Sequence, residues 1–188
     1  MSTPGVSHPS PTTAEDFRRV LDERAVQPVF QPVVDLDKRH VLGYEALARG
    51  PMGSALESPA ALFGAAWRAG RVAELDWACR ATAFTDAVRG GLGPPLTLFV
   101  NAEPVSLGVA CPDDLKEAIE LGKARLRVVV EVTERADAVV LAEGIETIKH
   151  AREAVAAGPP SVRGSCSATG PLPSPLPPPG DAIPLRPA

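Results

Sequence analysis

The sequence is poor in aromatic residues and in net positive charge. Only 4% of its 188 residues are Phe, Trp or Tyr, which is too few for the stacking platforms that single-stranded nucleic acids need. The formal net charge is −4, whereas proteins that bind nucleic acid usually present a basic surface. Nucleic-acid polymers are therefore not expected as partners.

Cysteines are few, and long apolar runs are missing. Cys79, Cys111 and Cys166 are odd in number and widely spaced, so they match neither a disulfide framework nor a zinc site. The N-terminus lacks the basic start and apolar block of a signal peptide. No apolar run is long enough to cross a bilayer. We therefore expect a cytoplasmic protein with no membrane partner.

Proline and small polar residues are abundant at the two ends of the chain. Residues 1–13 are rich in Ser, Thr and Pro, and ten of the thirty residues in 159–188 are prolines. Such segments bury too little apolar surface to fold. The sequence predicts a disordered leader at 1–13, a foldable region at 14–158 and a Pro-rich disordered tail at 159–188.

Strand and helix patterns alternate between these ends. Apolar runs predict strands, and apolar residues at helical spacing predict helices. A polar turn at 35–40 joins the first two strands into a hairpin, and Gly122 is expected to end one helix. The fold class is α/β, with a mainly parallel sheet covered by helices. Strands are expected at 28–34, 43–49, 96–101, 127–134 and 138–147, and helices from 14 and at 60–69, 73–88, 112–121 and 147–157.

Glu45, Asn101 and Glu131 each fall at or near the end of a separate predicted strand. The carboxyl ends of parallel strands meet on one face of a sheet, where sites are built. Two carboxylates and one amide carbonyl there would form an oxygen cage suited to Mg²⁺ or Mn²⁺. Acids at strand ends are also common on ordinary solvated surfaces, so each residue alone fits either interpretation.

Five short motifs, in order along the chain, resemble those of one bacterial family. They are FQPVV at 30–34, GYEALAR at 43–49, NAEP at 101–104, EVTE at 131–134 and AEGIET at 142–147. Together they make residues 14–158 similar to the EAL domain, a family that hydrolyses the second messenger cyclic di-GMP. The resemblance implies an eight-stranded TIM-like (β/α) barrel whose strand ends bind divalent metal and cyclic di-GMP.

The resemblance also implies a role for each of eight residues. The cofactor would be Mg²⁺ or Mn²⁺, and the reaction would be attack of a metal-activated water on a phosphodiester. The implied roles are metal ligation by Glu45, Asn101 and Glu131, catalytic assistance to the metal and the water by Glu143 and Glu146, phosphate contact by Arg49, and nucleotide contact by Gln31 and Leu47.

The sequence departs from the family between its fourth and fifth motifs. Only residues 135–141 separate Glu134 from Ala142, where the family has two strand–helix units that carry an Asp-Asp pair and a lysine. The last strand segment is also altered, because residues 162–170 put Arg163 where a glutamine is expected. We expect an incomplete barrel of five strands, or six if the tail contributes one. Its open edges predict self-association, for example as a homodimer.

The missing segments decide between several functions within this family. An EAL-domain protein related to cyclic di-GMP phosphodiesterases, but impaired in catalysis, fits the loss of the Asp-Asp and Lys segments. One alternative is a module that binds cyclic di-GMP or a protein partner without hydrolysis. Another is an active metal-dependent phosphodiesterase, which the retained Glu45, Asn101 and Glu131 favour. A truncated remnant without activity of its own is the third.

Overall fold

A computed structural model describes residues 11–35, 40–133, 139–143 and 164–165 of the chain. Glu134, Glu146, the predicted helix at 147–157 and most of the leader and tail lie outside the described residues. The described part forms four helices and six strands, with 3₁₀ turns at Pro104–Ser106 and Asp113–Leu115. The helices are α1 (Pro11–Asp22), α2 (Pro59–Ala69), α3 (Val72–Arg89) and α4 (Lys116–Arg125), and the strands are β1 (Gln27–Asp35), β2 (His40–Arg49), β3 (Thr97–Ala102), β4 (Arg127–Thr133), β5 (Val139–Glu143) and β6 (Gly164–Ser165).

The six strands form one sheet in the order β5-β4-β3-β2-β1-β6. β1 and β2 form the predicted antiparallel hairpin, and β2, β3 and β4 run parallel. β5 is antiparallel to β4, and β6 is antiparallel to β1. The α/β class is confirmed, but the sheet is mixed rather than mainly parallel. Residues 134–138 are too few for the crossover that a parallel β4–β5 pair would need.

The two faces of the sheet have different surroundings, because successive strand residues point to opposite faces. One face carries Phe30 and Leu98, which are buried in the main core under the helices. The other, here called the inner face, carries a separate buried cluster of Val33, Phe99 and Val129. α3 lies across the middle of the helical layer, where it contacts β1, β2 and β3. The functional side chains predicted on β1 to β4 therefore include several on the inner face, opposite the main core.

α1 begins three residues earlier than the sequence predicts. The predicted leader ends at residue 13, whereas the helix starts at Pro11. Its expected apolar stripe is confirmed, because Phe17, Val20 and Leu21 are all buried in the main core. Burial of this stripe packs α1 against α2 and α3.

The ends of α2 are as the sequence predicts. The Ser58 side chain caps the helix by accepting a hydrogen bond from the Ala61 amide at 3.2 Å, and Pro59 occupies the first turn. Gly70 ends the helix in the left-handed conformation with φ of 66°, which glycine adopts without a steric penalty. These caps fix where α2 stops before α3 begins.

Gly122 does not end α4, which continues to Arg125. The residue is buried where α4 packs on α3, and a Cβ atom at this position would lie 2.2 Å from Cδ2 of Phe84. Glycine therefore permits a close approach of the two helices, and its role is in packing. The sequence prediction was wrong because a glycine in a helical pattern signals a stop and a close contact equally well.

Replacing Gly122 with alanine is expected to lower the free energy of unfolding by about 1–3 kcal/mol, because the added methyl group would overpack the α3–α4 contact. The better helix propensity of alanine, about 1 kcal/mol, offsets only part of this cost. Urea unfolding followed by circular dichroism measures the difference. Phe84→Ala removes the two atoms nearest to the added methyl group, so in a double-mutant cycle its cost and that of Gly122→Ala should be less than additive, and strict additivity would contradict the proposed contact.

The sheet does not close among the described residues, because β5 and β6 are the outermost strands of its order. The eight-stranded closure that the resemblance implies is therefore not reached, and the sixth strand comes from the tail. Outermost strands present unpaired backbone groups to other chains, and self-association through them stays a prediction. Among the helices in the described part, none has the length and apolar character needed to cross a bilayer.

Candidate functional site

Four of the predicted site residues lie on the inner face of neighbouring strands. Gln31 of β1 is paired directly with Glu45 of β2, and Asn101 of β3 is paired directly with Glu131 of β4. Residues that are paired across strands point to the same face of a sheet. β2 and β3 align Glu45 with Phe99, two residues before Asn101. The structure therefore gathers the side chains as the strand-end prediction requires.

Glu45 and Asn101 are in direct contact. The Asn101 side-chain Nδ2 donates a hydrogen bond to Oε1 of Glu45 at 3.0 Å. Glu45 is half-buried and Asn101 is exposed, so the contact lies where the inner face meets solvent. Two residues that are 56 positions apart are thus joined at one point, with Glu131 on the adjacent strand.

An apolar floor lies beside these polar groups. Phe99 and Val129 precede Asn101 and Glu131 by two residues, so they occupy the same face of β3 and β4. With Val33 they form the buried inner-face cluster. Charged groups interact more strongly when one side of them is dry. The floor therefore favours binding of a cation by the carboxylates above it.

The donor set fits a small divalent cation. Two neighbouring ligand atoms of an octahedral Mg²⁺, each at 2.0–2.1 Å, are about 3.0 Å apart. Glu45 Oε1 and the Asn101 amide are separated by 3.0 Å, and the oxygen and nitrogen of an amide can exchange places. Among the described residues no group of three or more His, Cys, Asp or Glu could hold a metal. The candidate site therefore depends on the Asn101 oxygen as well as on Glu45 and Glu131.

A cavity of about 220 Å³ lies on the helical side of the sheet, where Ala46 and Val100 of the main core line it. Leu47 and Asn101 contribute to its wall, together with Phe63 of α2 and Arg80 of α3. Contact between Leu47 and a nucleotide stays a prediction. The glutamine of β1 that lines the cavity is Gln27, and the predicted Gln31 is not among the lining residues.

Arg49 lies farther along β2. It ends the strand, four residues after Glu45, which corresponds to about 13 Å of extended chain. Its Nη1 donates to the carbonyl oxygen of Ala48 at 2.9 Å. Contact between Arg49 and a phosphate stays a prediction.

The family model of the EAL domain matches residues 14–157, which is more than half of the chain. The chain belongs to the EAL domain family. No curated protein matches it.

Two solved EAL structures share the fold, and a third is similar in sequence. The FimX EAL domain of Xanthomonas citri, in complex with c-diGMP, is 19% identical, with a TM-score of 0.52 over 77% of this chain and 55% of that one. An EAL domain protein of Listeria monocytogenes is 16% identical, with a TM-score of 0.51 over 80% of this chain and 56% of that one. Klebsiella pneumoniae BlrP1, in a complex with manganese and cyclic diGMP, is 29% identical, with a TM-score of 0.49 over 70% of this chain and 31% of that one.

This EAL domain spans about half the length of the FimX and Listeria structures. Its sheet is an incomplete version of the TIM-like barrel of the family, as the gap between the sequence motifs predicts. The predicted fold class is thereby confirmed, and the metal and nucleotide roles of individual residues stay predictions.

Glu143, a later acid of the EAL domain, is placed differently from the parallel-strand expectation. Glu143 ends β5, but β5 runs back along β4, so the backbone of Glu143 is level with Val129. That level is two residues before Glu131, toward the start of β4. Glu134 and Glu146 lie outside the described residues. The catalytic role predicted for Glu143 and Glu146 stays a prediction.

A buried polar network that the sequence did not predict lies behind the site. Asp76 and Arg80 of α3 form an ion pair at 2.8 Å with side chains only 3% and 10% exposed, and both contact the buried hydroxyl of Ser106. Burial raises the pKa of the Asp76 carboxyl, and Arg80 partly opposes this rise. Burial lowers the pKa of Arg80, which Asp76 partly opposes. The available signal was that Asp76 and Arg80, four residues apart, lie among the apolar positions that form the buried side of α3.

Proposed function

We propose that this EAL domain binds Mg²⁺ or Mn²⁺ through Glu45, Asn101 and Glu131, and that the bound cation helps it to bind cyclic di-GMP with impaired hydrolysis. The observation that carries the proposal is the 3.0 Å contact between Glu45 and Asn101, with Glu131 on the next strand. Membership of a family related to cyclic di-GMP phosphodiesterases supplies the identity of the ligand.

The cation fits the charge of the site. Glu45 and Glu131 supply two negative charges and Asn101 one neutral oxygen, and Mg²⁺ commonly binds to one or two carboxylates while keeping several waters. When bound, the cation supplies Lewis acidity toward a phosphodiester. The three residues orient it at the solvent boundary of the inner face, and the apolar floor excludes water from one side.

The nucleotide is expected to bind over the inner face, beside Glu45 and Asn101. The cavity beside Asn101 is a poor alternative, because its volume of about 220 Å³ lies below the roughly 300 Å³ at which small-molecule pockets usually begin. It also lies on the helical side of the sheet, where Ala46 and Val100 of the main core line it. Gln31, Leu47 and Arg49 are proposed to contact the nucleotide on the inner face.

Impaired hydrolysis is proposed because the segment after β4 lacks the family's metal-binding groups. The family's Asp-Asp pair and lysine belong to segments that this chain lacks, and β4 is followed by the antiparallel β5 instead. Two metal ions that clamp the entering and leaving oxygens need more carboxylates than Glu45 and Glu131 provide. Loss of several such groups removes most of a rate enhancement.

Changing Glu45 to Gln is expected to weaken Mn²⁺ binding at least about tenfold, because ligand charge sets the affinity of an oxygen site. The free-Mn²⁺ electron paramagnetic resonance signal, titrated with protein, measures this affinity. Asn101→Asp is the matched control. It places a third carboxylate in the same cage, so it should retain or strengthen Mn²⁺ binding, and without metal the repulsion between its carboxylate and Glu45 should lower the unfolding temperature.

Cyclic di-GMP binding is measured on the same proteins by its effect on unfolding. A ligand present at 100 times its Kd stabilises the fold by about 2.7 kcal/mol, and this gain should need Mn²⁺ and disappear in Glu45→Gln. Equal Mn²⁺ affinity in wild type and Glu45→Gln would contradict the cation site. Turnover of cyclic di-GMP that depends on Glu45 would contradict impaired hydrolysis and support the active phosphodiesterase.

A further inference from the structure

The turn that follows Asn101 is tied to α3 by the buried polar network. β3 ends at Ala102, and a 3₁₀ turn spans Pro104–Ser106. The Glu103 amide donates to Oδ1 of Asp76 at 3.3 Å, and the Ser106 hydroxyl contacts both Oδ2 of Asp76 and the carbonyl oxygen of Glu103. The chain is therefore held on both sides of Glu103, two residues beyond Asn101.

We propose that Asp76 and Ser106, with Arg80 behind them, are positioning residues that hold Asn101 against Glu45. The inference rests on the proposed function, since it assigns a role to residues that support one ligand of the proposed cation site. Asn101 is exposed, so packing around its own side chain does little to fix it. The anchored turn restricts the backbone that carries it instead.

Arg80 contacts both Asp76 and Ser106 and packs on Trp77. Its Nη2 lies 2.8 Å from Oδ2 of Asp76 and 3.2 Å from Oγ of Ser106, and its guanidinium lies 3.9 Å from the centre of the Trp77 ring. The Trp77 Nε1 in turn donates to the carbonyl oxygen of Val109, beyond the turn, at 3.2 Å. The segment after β3 is thus attached to α3 at two places.

The carboxylate that anchors the turn is fully engaged. Asp76 is 2% exposed and accepts from Arg80, Ser106 and the Glu103 amide. Ser106 is completely buried. A buried carboxylate with three donors holds each of them in place, because losing any one leaves a buried hydrogen bond unmade. Asp76 therefore acts on the site through the turn.

The test uses the fact that Asn101 is the only asparagine in the sequence. In the NMR spectrum, protein labelled with ¹⁵N-asparagine gives the side-chain NH₂ signals of Asn101 alone. In metal-free protein, the offset of their chemical shifts from those of a free amide reports the contact with Glu45. In Ser106→Ala most of this offset should be lost, and Mn²⁺ affinity should fall about tenfold. Thr85→Val is the matched control, since it removes another α3 hydroxyl bond, from Thr85 to the carbonyl of Ala81 at 2.9 Å, away from the turn.

The outcomes separate this proposal from the cation site. A lost offset in Ser106→Ala with a wild-type offset in Thr85→Val supports the positioning role, whereas an unchanged offset in Ser106→Ala, or an equal loss in both, overturns it. If Ser106→Ala does not fold, Ser106→Cys, with a weaker donor, should give an intermediate offset, and a wild-type offset would overturn the proposal. Failure of Mn²⁺ to broaden the wild-type signals refutes the cation site alone, because the metal-free offset still tests the anchor.

Discussion

Gly43→Ala is expected to abolish cooperative folding or to lower the free energy of unfolding by more than about 3 kcal/mol, the upper end of ordinary overpacking costs. A Cβ atom on Gly43 would lie 1.8 Å from the carbonyl oxygen of Thr97 and 2.7 Å from its carbonyl carbon. Gly43 of β2 and Thr97 of β3 are paired across the parallel strands. Neither backbone can withdraw, because strands must stay about 4.8 Å apart to keep their hydrogen bonds.

Two features make this position more sensitive than other glycines. The pairing of β1 with β2 shifts register beside Gly43, so the strand is already irregular on its other side. Gly43 also lies two residues before Glu45, so displacement of the β2 backbone would move a proposed metal ligand. Urea unfolding, followed by circular dichroism and tryptophan fluorescence, measures the loss.

Gly64→Ala is the matched control for Gly43→Ala. Gly64 is inside α2, and the nearest atom to a Cβ there is the side-chain Nη1 of Arg68 at 3.6 Å. That substitution should raise stability by up to about 1 kcal/mol through helix propensity. A Gly43→Ala protein with wild-type unfolding would show that β2 and β3 are not paired at this point.

Asp76→Ala is expected to lower the free energy of unfolding by about 3–5 kcal/mol, because it leaves Arg80 as a buried charge without its partner. Arg80 is 8% exposed, and its Nε already has no hydrogen-bond partner within the described structure. The Glu103 amide and the Ser106 hydroxyl would lose an acceptor at the same time. Equilibrium unfolding in urea at neutral pH measures the change.

The double variant Asp76→Leu with Arg80→Met separates the cost of an unpaired charge from the worth of the pair. Apolar replacement of a buried ion pair is often neutral or stabilising, so most of the loss should be recovered. A double variant as unstable as Asp76→Ala would show that the pair itself contributes the stability.

The pH dependence of unfolding provides a further check on Asp76. Its pKa is raised in the fold, first of all by burial, so the folded state binds this proton more tightly than the unfolded chain does. The contribution of Asp76 to stability is therefore largest below its unfolded pKa and declines as pH rises through the raised value. This decline should be absent in the double variant, and its persistence would assign it to another group.

Periodicity alone was enough to place most of the secondary structure and the proposed ligands. The apolar runs around Gln31 and Glu45 predicted a hairpin, and the polar residues that end the next strands predicted the meeting of Asn101 with Glu131. These predictions succeeded because strand alternation is a local property of the chain. Parallel pairing of β2, β3 and β4 then aligns the strand ends without further information.

The direction of β5, the packing of Gly122 and the burial of Asp76 could not be read in the same way. β5 resembles any apolar strand, and its direction depends on how few residues link it to β4. Gly122 has a packing role only because Phe84 of another helix lies against it. Asp76 is buried only because the turn that contains Ser106 packs against α3.

The sequence by itself determined the family and the strand-end acids, because both belong to short contiguous motifs. The spacing between those motifs showed that the Asp-Asp and Lys segments are missing. The tertiary structure alone decided that Asn101 contacts Glu45 and that Asp76 and Ser106 hold the turn behind it. Those contacts join residues 56 and 30 positions apart, and only the packing of α3 against the parallel strands brings such distant groups within hydrogen-bond distance.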